Sequence, residues 1–503
     1  MSVYDLLVIG GGINGVGIAR DAAGRGLSVC LCEKDDFASH TSSWSTKLIH
    51  GGLRYLEHKE FRLVRESLIE REVLLNAAPH LIEPMRFVLP HHQGMRPAWM
   101  LRAGLFIYDH IGGRKALPST ARVDLRTSPL GTPLADGFRT AFEYTDCRVD
   151  DSRLVIFNAI DAAVRGAVLK TRTRFVGGQR SEGGWSITLE DQKGGRQTVH
   201  AKAVVNAAGP WANDALGAFA GASIRKNLRL VKGSHIITKP LYDHDRAYIF
   251  QNADGRVVFT IPYLNNTTLI GTTDEPYEGD PGKAAISDEE VRYLCASVSE
   301  YLKQDVTPDH VVDTYSGVRP LYDELSSADA SAVTRDYAFD VEADDGVPLL
   351  SIYGGKLTTY RKLAEHALEK LKPFLPAMGA AWTRGASLPG GEMAYAGWSA
   401  WRRGARERYA FLSDPVFDRM VRAYGSRLDD LLKGVTAEPD LGTHFGAGLY
   451  EVEVRYLVEH EFVRSGDDLL TRRTKLYSAM SPNEQEAVCA FVDRLQTATG
   501  CAA

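Results

Sequence analysis

The stretch YDLLVIGGGINGVGIARDAAGRGLSVCLCEK, residues 4–34, decides the fold. It predicts an apolar strand, a glycine-rich turn, a helix and a second strand, and Gly10, Gly12 and Gly15 form the pattern GxGxxG in the turn. In such a unit the first glycine permits the tight turn, the second lets the backbone approach a pyrophosphate, and the third lets helix and strand pack closely. Glu33 ends the second strand, where a carboxylate accepts a hydrogen bond from a ribose hydroxyl. The stretch therefore predicts a dinucleotide-binding α/β domain, the alternative being a chance glycine-rich turn.

The motif by itself fits NAD and FAD alike, although an acid at Glu33 repels the 2′-phosphate of NADP. Two later segments, AVVNAAGPWAND (203–214) and LLSIYGGKLTTYRKLAEHAL (349–368), again place an apolar strand before small residues. Both are predicted to join the sheet of the first segment and to turn toward the same ligand. A cofactor gripped by segments so far apart in the chain favours a large, permanently bound flavin, FAD.

The composition bounds the class of protein. The chain has 503 residues, of which 44% are hydrophobic and 24% charged, and a net charge of −5, which fits a globular protein of two or three domains without overall affinity for nucleic acid. The six cysteines form neither a CxxC pair nor a Cys/His cluster, so no metal site and no disulfide framework is predicted. The sequence contains no run of roughly 18 apolar residues and no cleavable leader, and it therefore predicts a cytoplasmic protein without a spanning helix.

Hydrophobic periodicity predicts three regions. Helices are predicted over 59–77 and 152–170, a meander of strands with glycine turns at 177–178, 183–184 and 194–195 over 171–205, antiparallel strands over 227–275, another strand over 348–353, and mostly helix from about residue 395. The expected architecture is a Rossmann-like α/β domain, an inserted antiparallel-sheet substrate domain of the α+β kind, and a carboxyl-terminal helical cap domain.

Eight further motifs are long, ordered and spread over nearly the whole chain. They are TSSWSTKLIHGGLRYLE (41–57), VVNAAGPW (204–211), VKGSHII (231–237), IGTTDEPYEGDP (270–281), TYSGVRPL (314–321), VTRDY (333–337), GGKLTTYRKLAEHALEKL (354–371) and VRYLVEHEFVRSGDDLLTRRTK (454–475). Together they resemble the FAD-dependent glycerol-3-phosphate dehydrogenases of the bacterial aerobic, membrane-associated type, within the glycine-oxidase-like flavoproteins. The resemblance implies an FAD-binding domain of residues 1–75, 145–225 and 345–388, a substrate-binding domain of residues 76–144 and 226–344, and a helical cap of residues 389–503.

The resemblance also implies a reaction. It is the oxidation of sn-glycerol 3-phosphate to dihydroxyacetone phosphate, with the C2 hydride passing to flavin N5 and the electrons passing to a membrane quinone. The alternatives are a soluble glycerol-3-phosphate oxidase that uses O₂, another FAD-dependent oxidase such as an amine or amino-acid oxidase, and a non-catalytic flavin-binding module. Several arginines in the motifs, together with Lys356, favour a phosphate substrate over an amino acid.

The predicted catalytic residues are His235, Arg319 and Lys356. His235 is the candidate base, because an imidazole with a pKa of about 6.5 accepts a proton at neutral pH; a core histidine is the alternative. His50 competes for that role but lies in a turn that resembles a cofactor contact. Arg319 serves the phosphate or the C2 oxygen, since a guanidinium fork matches oxyanions. Lys356 serves either the phosphate or the negative charge of reduced flavin.

The remaining site predictions concern substrate and cofactor contacts. Predicted substrate-binding residues are Arg54, Tyr55, Thr272, Arg319, Arg335 and Lys356. Predicted FAD contacts are Gly10, Gly12, Asn14, Gly15, Glu33, Thr41, Ser42, Ser43, Lys47, Leu48, His50, Gly51, Gly52, Ala208, Gly209, Trp211, Gly354, Gly355, Lys356, Leu357 and Thr358. The hydroxyls of residues 41–43 also fit a cluster that caps a helix.

A basic segment predicts a membrane contact. Residues 84–126 carry seven basic residues against two acids, a local net charge of +5, and include AWMLRAGLFIYDHI (98–111). Interleaved basic and aromatic residues suit an interfacial helix on anionic lipid, and an amphipathic core helix with a solvated flank is the alternative. With the resemblance, the chain is predicted to lie peripherally on the inner face of the cytoplasmic membrane, as a homodimer.

Overall fold

The computed structural model describes residues 3–92, 94–113, 116–224, 227–323 and 336–498. The strands, in chain order, are β1 (Val3–Ile9), β2 (Val29–Cys32), β3 (Leu48–Ile49), β4 (Ile82–His91), β5 (Ala121–Asp124), β6 (Thr140–Val149), β7 (Val168–Lys170), β8 (Thr173–Ser181), β9 (Gly184–Asp191), β10 (Arg196–Asn206), β11 (Asn227–Thr238), β12 (Ala247–Gln251), β13 (Val257–Tyr263), β14 (Thr267–Gly271), β15 (Glu275–Pro276), β16 (Val311–Asp323), β17 (Tyr337–Glu342), β18 (Leu349–Gly354), β19 (His444–Gly446) and β20 (Leu449–Tyr450). The α-helices are α1 (Ile13–Gly24), α2 (Phe61–Ala77), α3 (Ala98–Ile111), α4 (Asp151–Val164), α5 (Ala212–Gly217), α6 (Asp288–Ser299), α7 (Tyr360–Leu371), α8 (Ala394–Arg408), α9 (Asp414–Tyr424), α10 (Leu428–Leu431), α11 (Glu451–His460) and α12 (Pro482–Ala498).

The first sheet is the predicted Rossmann-like sheet. It runs in the order β17–β18–β10–β1–β2–β7, and all of these pairs are parallel except β17–β18. Leu6 and Val8 of β1 pack with α1, α4 and α7 on one face, whereas Leu7 packs with Trp185 of β9 on the other. Because β1 is covered on both faces, its sequence is an unbroken apolar run. The segments 203–206 and 349–354 join this sheet as β10 and β18, as predicted.

The second sheet is the predicted antiparallel sheet. It runs in the order β15–β11–β14–β13–β12–β4–β6–β3, with β16 beside β11 and β5 beside β6. The β12–β4 pair is parallel. Leu68 of α2 and Leu105 of α3 belong to the core on one face, and Leu294 of α6 belongs to the core on the other. The long β11–β16 pair also contacts the first sheet, through β16 and β18.

The carboxyl-terminal region, α8 to α12, has a core of its own that includes Met420, Tyr424 and Leu457. It is mainly helical, as predicted, with the short β19–β20 hairpin as an addition. The hairpin is possible because Gly446 and Gly448 adopt φ of +112° and +72°, which other residues rarely reach. The predicted domain bounds stay a prediction.

Two secondary-structure predictions were wrong in detail. The helix predicted over 152–170 ends at Val164, and residues 168–170 pair with β2 as β7, because Gly166 at φ +92° turns the chain back to the sheet. The glycines 177–178 do not form a turn. They lie inside β8 at an irregularity, and a side chain on Gly178 would begin 2.6 Å from the ring of Phe219. Here a glycine in a strand allows a side chain to pack closely against the backbone and does not reverse the direction of the chain.

Candidate active site

Two adjoining cavities form one elongated cleft. The first, which we call the strand-end cavity, has a volume of about 630 Å³ and lies at the ends of β1, β2 and β10. The second, the inter-sheet cavity, has a volume of about 620 Å³ and lies between the two sheets. The walls common to both are Gly12, Thr41, Ser42, Ala207, Gly209 and Pro210. A ligand as long as a dinucleotide therefore has a continuous path from one cavity to the other.

The β1–α1 turn shapes the strand-end cavity through its glycines. Gly10 has φ of +112°, and a Cβ there would lie 2.5 Å from the carbonyl oxygen of Ala207. A Cβ on Gly15 would lie 1.9 Å from the carbonyl oxygen of Gly10. Helix α1 begins at Ile13, whose N–H donates to Ser42 Oγ at 3.0 Å, and Gly12 at its start has no side chain to cap it. The amino-terminal end of α1, with its positive dipole, is thus open toward an anion.

Glu33 lines the strand-end cavity directly beside the glycine turn. Its carboxylate accepts hydrogen bonds from the N–H groups of Gly11 at 2.6 Å and Asp35 at 2.8 Å. Burial raises the pKa of Glu33, and these two donors oppose that rise. The donors fix the carboxylate in place, and a carboxylate has further lone pairs for a ribose hydroxyl.

Three predicted segments meet at the inter-sheet cavity. Asn14 Nδ2 of α1 donates to the carbonyl oxygen of Gly354 at 3.3 Å. The N–H of His50 donates to Thr358 Oγ1 at 3.3 Å. Thr41 Oγ1 donates to the carbonyl oxygen of Val318 on β16 at 2.7 Å. The turns after β1 and β18 and the segment 41–52 are therefore joined by direct contacts, as the repeated strand-and-glycine pattern predicted.

The β11–β16 pair carries the reactive side chains. In its antiparallel register His235 lies opposite Tyr315, and Val231 lies opposite Arg319, with a pair of glycines between them at 233 and 317. Because alternate residues of a strand share a face, His235 and Arg319 line the same side. A Cβ on Gly233 would lie 2.2 Å from Arg319 Nη2, and one on Gly271 would lie 2.1 Å from the His235 ring. The glycines make room for both side chains.

His235 is buried, with 2% of its surface exposed, although it lines the inter-sheet cavity. Its Nε2 lies 3.0 Å from Thr46 Oγ1, and its ring stacks on Tyr315 with centroids 4.6 Å apart. Its Nδ1 is buried and has no hydrogen-bond partner among the residues that the structure describes. Burial lowers the pKa of His235 well below 6.5, and the positive charges of Arg319 and Lys47 lower it further. The imidazole is therefore neutral at neutral pH.

Arg319 is held by the loop that follows β14. Its Nη1 lies 3.2 Å from Asp274 Oδ1, and its Nη2 donates to Thr272 Oγ1 at 3.2 Å. The exposed fraction of its side chain is 28%. Asp274 and Thr272 thus orient a guanidinium that lines the inter-sheet cavity.

Two further basic residues, Arg54 and Lys356, line this cavity. Lys356 Nζ lies 3.9 Å from the ring centroid of Tyr55. Arg54 is exposed in a 3-10 turn, Leu53–Leu56, that follows the left-handed Gly52. Lys356 precedes a 3-10 turn rather than a helix start, because α7 begins only at Tyr360.

The predicted site residues that the structure describes line the strand-end cavity, the inter-sheet cavity, both cavities or neither. On the strand-end cavity lie Gly10, Gly12, Glu33, Thr41, Ser42, Ala208, Gly209 and Trp211. On the inter-sheet cavity lie Gly12, Asn14, Thr41, Ser42, Leu48, His50, Gly52, Arg54, Tyr55, Gly209, His235, Thr272, Arg319, Gly354, Gly355, Lys356, Leu357 and Thr358. Arg335 lies outside the described residues.

Four residues that were predicted as cofactor contacts line neither cavity and contact other parts of the protein instead. Gly15 packs under the turn, and the N–H of Gly51 donates to Tyr108 Oη at 2.8 Å. Ser43 Oγ donates to the carbonyl oxygen of Ala38. Lys47 Nζ pairs with Asp151 Oδ2 at 2.9 Å. The side chains of Ser43 and Lys47 thus support the cavity wall from behind.

Sequence reasoning missed three residues that the structure adds. Asp274 orients Arg319, Tyr315 stacks on His235, and Asp151 pairs with Lys47. The available signal in the sequence was Gly233 and Gly271, each of which precedes a hydroxyl residue in a motif. A glycine inside a strand indicates that another group approaches the backbone closely at that point.

The cleft fits a dinucleotide cofactor, because a glycine turn, an open helix start and a fixed carboxylate follow one another along the strand-end cavity. Fold and cleft together define the class, a dinucleotide-dependent oxidoreductase of the two-sheet type. The chain belongs to the FAD dependent oxidoreductase family, whose model matches residues 5–361. Residues 381–501 match the C-terminal domain of alpha-glycerophosphate oxidase. The prediction of FAD is thereby confirmed.

Three relatives are similar over nearly their whole length. A glycerol-3-phosphate dehydrogenase of Pseudomonas aeruginosa is 53% identical over 484 residues, which is 96% of this chain and 94% of the relative. A D-erythritol 1-phosphate dehydrogenase of Brucella abortus is 50% identical over 490 residues, 97% of each chain. The aerobic glycerol-3-phosphate dehydrogenase of Escherichia coli K12 is 47% identical over 490 residues, 97% of each chain.

Solved structures agree on the fold. The glycerol-3-phosphate dehydrogenase of Bacillus halodurans, complexed with FAD, has a TM-score of 0.74 and 27% identity and covers 99% of this chain and 94% of its own. The L-alpha-glycerophosphate oxidase of Mycoplasma pneumoniae has a TM-score of 0.60, covers 77% of this chain and 100% of its own, and at 17% identity shows the fold alone. The predicted fold class is confirmed.

Proposed function

We propose that this protein oxidises sn-glycerol 3-phosphate at C2 to dihydroxyacetone phosphate. The observation that carries the proposal is the pair His235 and Arg319 on one glycine-lined sheet face that opens onto the FAD cleft. Glycerol-3-phosphate dehydrogenases that are 47% and 53% identical support the choice of substrate. FAD, when bound, accepts the hydride that leaves C2.

His235 is the proposed base for the C2 hydroxyl. Because its pKa is lowered well below 6.5, the ring is neutral and ready to accept a proton at neutral pH. Nε2 lies 3.0 Å from Thr46 Oγ1 and Nδ1 has no partner among the described residues, so the tautomer decides which ring nitrogen accepts the substrate proton. The stacking on Tyr315 fixes the plane of the ring.

Basic residues are proposed to hold the substrate oxygens. Arg319, oriented by Asp274, stabilises the negative charge that develops on the C2 oxygen or binds the phosphate. Arg54 and Lys356 line the same cavity and are proposed phosphate ligands. Arg335, outside the described residues, is proposed as a phosphate ligand from its motif alone. Lys356 serves either the phosphate or a negative charge on the cofactor.

The direct test is anaerobic mixing of the holoprotein with sn-glycerol 3-phosphate while the visible absorbance of the flavin is followed. Rapid bleaching by this substrate, and none by glycerol or by an amino acid, is the expected result. A flavin that stays oxidised would show that the protein binds FAD for another purpose.

A longer polyol phosphate is the second candidate substrate, because the Brucella abortus relative that is 50% identical is a D-erythritol 1-phosphate dehydrogenase. The two substrates share a phosphate and a secondary alcohol, so the same basic and proton-accepting groups serve both. Comparison of kcat/KM for the two decides between them. A preference for the four-carbon substrate would overturn the proposed substrate and keep the reaction class.

Helix α3 supports a membrane contact and a quinone acceptor. It coincides with the predicted interfacial segment, and Trp99 and Phe106 on it are 69% and 63% exposed. Its residues Met100 and Ile107 are also exposed and line the inter-sheet cavity. Among the described residues every helix is too short or too polar to cross a bilayer. We infer that α3 lies in the surface of anionic lipid and that a quinone reaches the cleft from the lipid.

The membrane proposal is tested by replacing both Trp99 and Phe106 with serine. The double variant is expected to lose sedimentation with anionic vesicles and quinone reduction, and to keep flavin reduction by substrate. Val164→Ser, at another exposed apolar residue, is the matched control and should bind vesicles normally. Peroxide formed in step with substrate consumption, without any need for quinone, would instead indicate the O₂-using oxidase.

Location and assembly complete the proposal. Placement on the inner face of the cytoplasmic membrane and a homodimer are supported by the resemblance to the membrane-associated dehydrogenases. Light scattering coupled to gel filtration of the detergent-solubilised holoprotein tests the dimer, and a mass of 55.3 kDa would indicate a monomer.

A further inference from the structure

A group of four charged residues, of which Lys47 and Asp151 are buried, lies behind the wall of the inter-sheet cavity. We call Lys47, Asp150, Asp151 and Lys475 the lysine–aspartate cluster. Asp151 is fully buried and receives Lys47 Nζ at 2.9 Å and Lys475 Nζ at 3.1 Å, while Lys475 also pairs with Asp150. Lys475 belongs to the carboxyl-terminal region, and its partner Asp151 lies 324 residues earlier in the chain, at the start of α4.

The cluster contacts His235 through three consecutive residues. Ser45 Oγ donates to Asp151 Oδ2 at 2.8 Å, Thr46 Oγ1 lies 3.0 Å from His235 Nε2, and Lys47 pairs with Asp151. The same lysine Nζ lies 4.9 Å from the ring centroid of Tyr315, the ring that stacks on His235. Asp151 thus binds Ser45 and Lys47, the two sequence neighbours of Thr46, which contacts His235.

Both lysines of the cluster adopt a backbone conformation that is rare outside glycine. Lys47 has φ of +59° and Lys475 has φ of +56°. The stretch before Lys475 is held firmly, because Arg472 and Arg473 both pair with the buried Asp36, just after β2. Unfavourable conformations at two residues that meet at one carboxylate are typical of a functional constraint.

We propose that the carboxyl-terminal region takes part in the reaction through Lys475, a positioning residue that, with Asp151 and Lys47, fixes the orientation of His235 and sets its affinity for a proton. The proposal rests on the proposed function, in which His235 is the base. No described residue of the carboxyl-terminal region lines either cavity. Lys475 nevertheless gives that region a role in the chemistry.

The charges around His235 determine the direction of the effect. Arg319 on β16 and Lys47 oppose a proton on the ring, and Asp151 favours one, while Tyr315 and Thr46 are uncharged neighbours. Lys475 partly neutralises Asp151. Its removal strengthens the negative charge of Asp151 and raises the proton affinity of His235, whereas removal of the Asp151 charge lowers it.

The test compares Lys475→Met with Asp151→Asn in the FAD-bound enzyme. The acid limb of the pH profile of kcat/KM for flavin reduction is expected to move up by about 0.5–1 unit in Lys475→Met and down in Asp151→Asn. Lys475→Arg keeps the charge and should restore the native profile. Arg455→Met, which removes the exposed pair with Glu451 in the same region, is the matched control and should leave the profile unchanged.

FAD content and thermal stability are measured for each variant, and the His235 signal is followed by NMR in histidine-labelled holoprotein. A loss of activity by the same factor at every pH, without movement of the limb or of the NMR signal, would overturn the inference and leave a purely structural role for Lys475. If Asp151→Asn does not fold, the pH profiles of Lys475→Met and Lys475→Arg are sufficient to test the inference. Failure of the native protein to reduce its flavin overturns the proposed function instead, and the NMR signal still tests the positioning of His235.

Discussion

The two cavities are built in different ways. At the strand-end cavity the β1–α1 turn, a short contiguous stretch, acts largely through backbone N–H groups and the lack of side chains, and Glu33 lies beside it. The inter-sheet cavity draws His235, Thr272, Arg319 and Lys356 from separate elements and acts through their side chains. The glycine turn at one end of the cleft is therefore shaped locally and sterically, whereas the reactive side chains depend on the register of strands far apart in the chain.

This difference predicts different kinds of failure. At Gly10 and Gly15 of the β1–α1 turn there is no space for an added carbon, so a substitution there is expected to prevent FAD binding. At the inter-sheet cavity a side chain can be shortened without disturbing the sheet, so that a substitution lowers a rate and leaves the cofactor in place.

The largest effect is expected for Gly15→Val. The first added carbon would lie 1.9 Å from the carbonyl oxygen of Gly10, so the turn has to open. The variant should be purified without FAD and should show no turnover, as measured by flavin absorbance of the protein. Gly217→Ala, where an added carbon meets nothing within 4 Å, should keep its FAD. Retention of FAD by Gly15→Val would contradict the steric interpretation of this cavity.

The next effect is expected for His235→Ala. Loss of a general base lowers a rate typically by about 10²- to 10⁴-fold, and the rate of flavin reduction at saturating substrate should fall by this factor. FAD content should stay normal, in contrast to Gly15→Val. His244→Ala removes a histidine that contacts Tyr248 in the same sheet and serves as the control. A change confined to KM would exclude His235 as the base.

A smaller effect is expected for Arg319→Lys. A lysine keeps the charge but cannot contact Asp274 and Thr272 with two nitrogens while facing the substrate. Loss of a charge-assisted hydrogen bond of about 1.5–3 kcal/mol corresponds to a fall in kcat/KM of about 10- to 150-fold. Asp274→Asn, which keeps an acceptor but removes the charge, should lose less. Equal activity of Arg319→Lys and the native protein would show that Arg319 does not contact the reacting substrate.

The same contrast explains how much the sequence alone could predict. The β1–α1 turn was predicted residue by residue, because its geometry follows from glycines that are contiguous in the chain. His235 and Arg319 came from the resemblance, since nothing in the periodicity of β11 and β16 reveals which residues face each other. Asp151 was missed because its role depends on contacts with segments far away in the chain.

Lys47 shows the remaining limit of sequence reasoning. It was predicted as a cofactor contact, but its ammonium is paired with Asp151 behind the wall. Residue type alone identifies a charge and not its partner. For the same reason no pattern in the sequence pointed from Lys475 to the active site, although the two are joined by direct ion pairs through Asp151.

The smallest effect is expected from a change of pH, which affects the rate of flavin reduction and the FAD content differently without any substitution. An imidazole with the ordinary pKa of about 6.5 loses roughly two-thirds of its neutral form between pH 7 and pH 6, and the reaction would slow about threefold. Burial and the charges of Arg319 and Lys47 lower the pKa of His235 well below 6.5, so its neutral form persists as the pH falls. The value of kcat/KM for flavin reduction should therefore stay within about twofold from pH 7 to pH 6 and decline only at lower pH. FAD content should not change over this range. A threefold loss of rate with FAD fully bound would show that His235 is not shielded as the structure indicates.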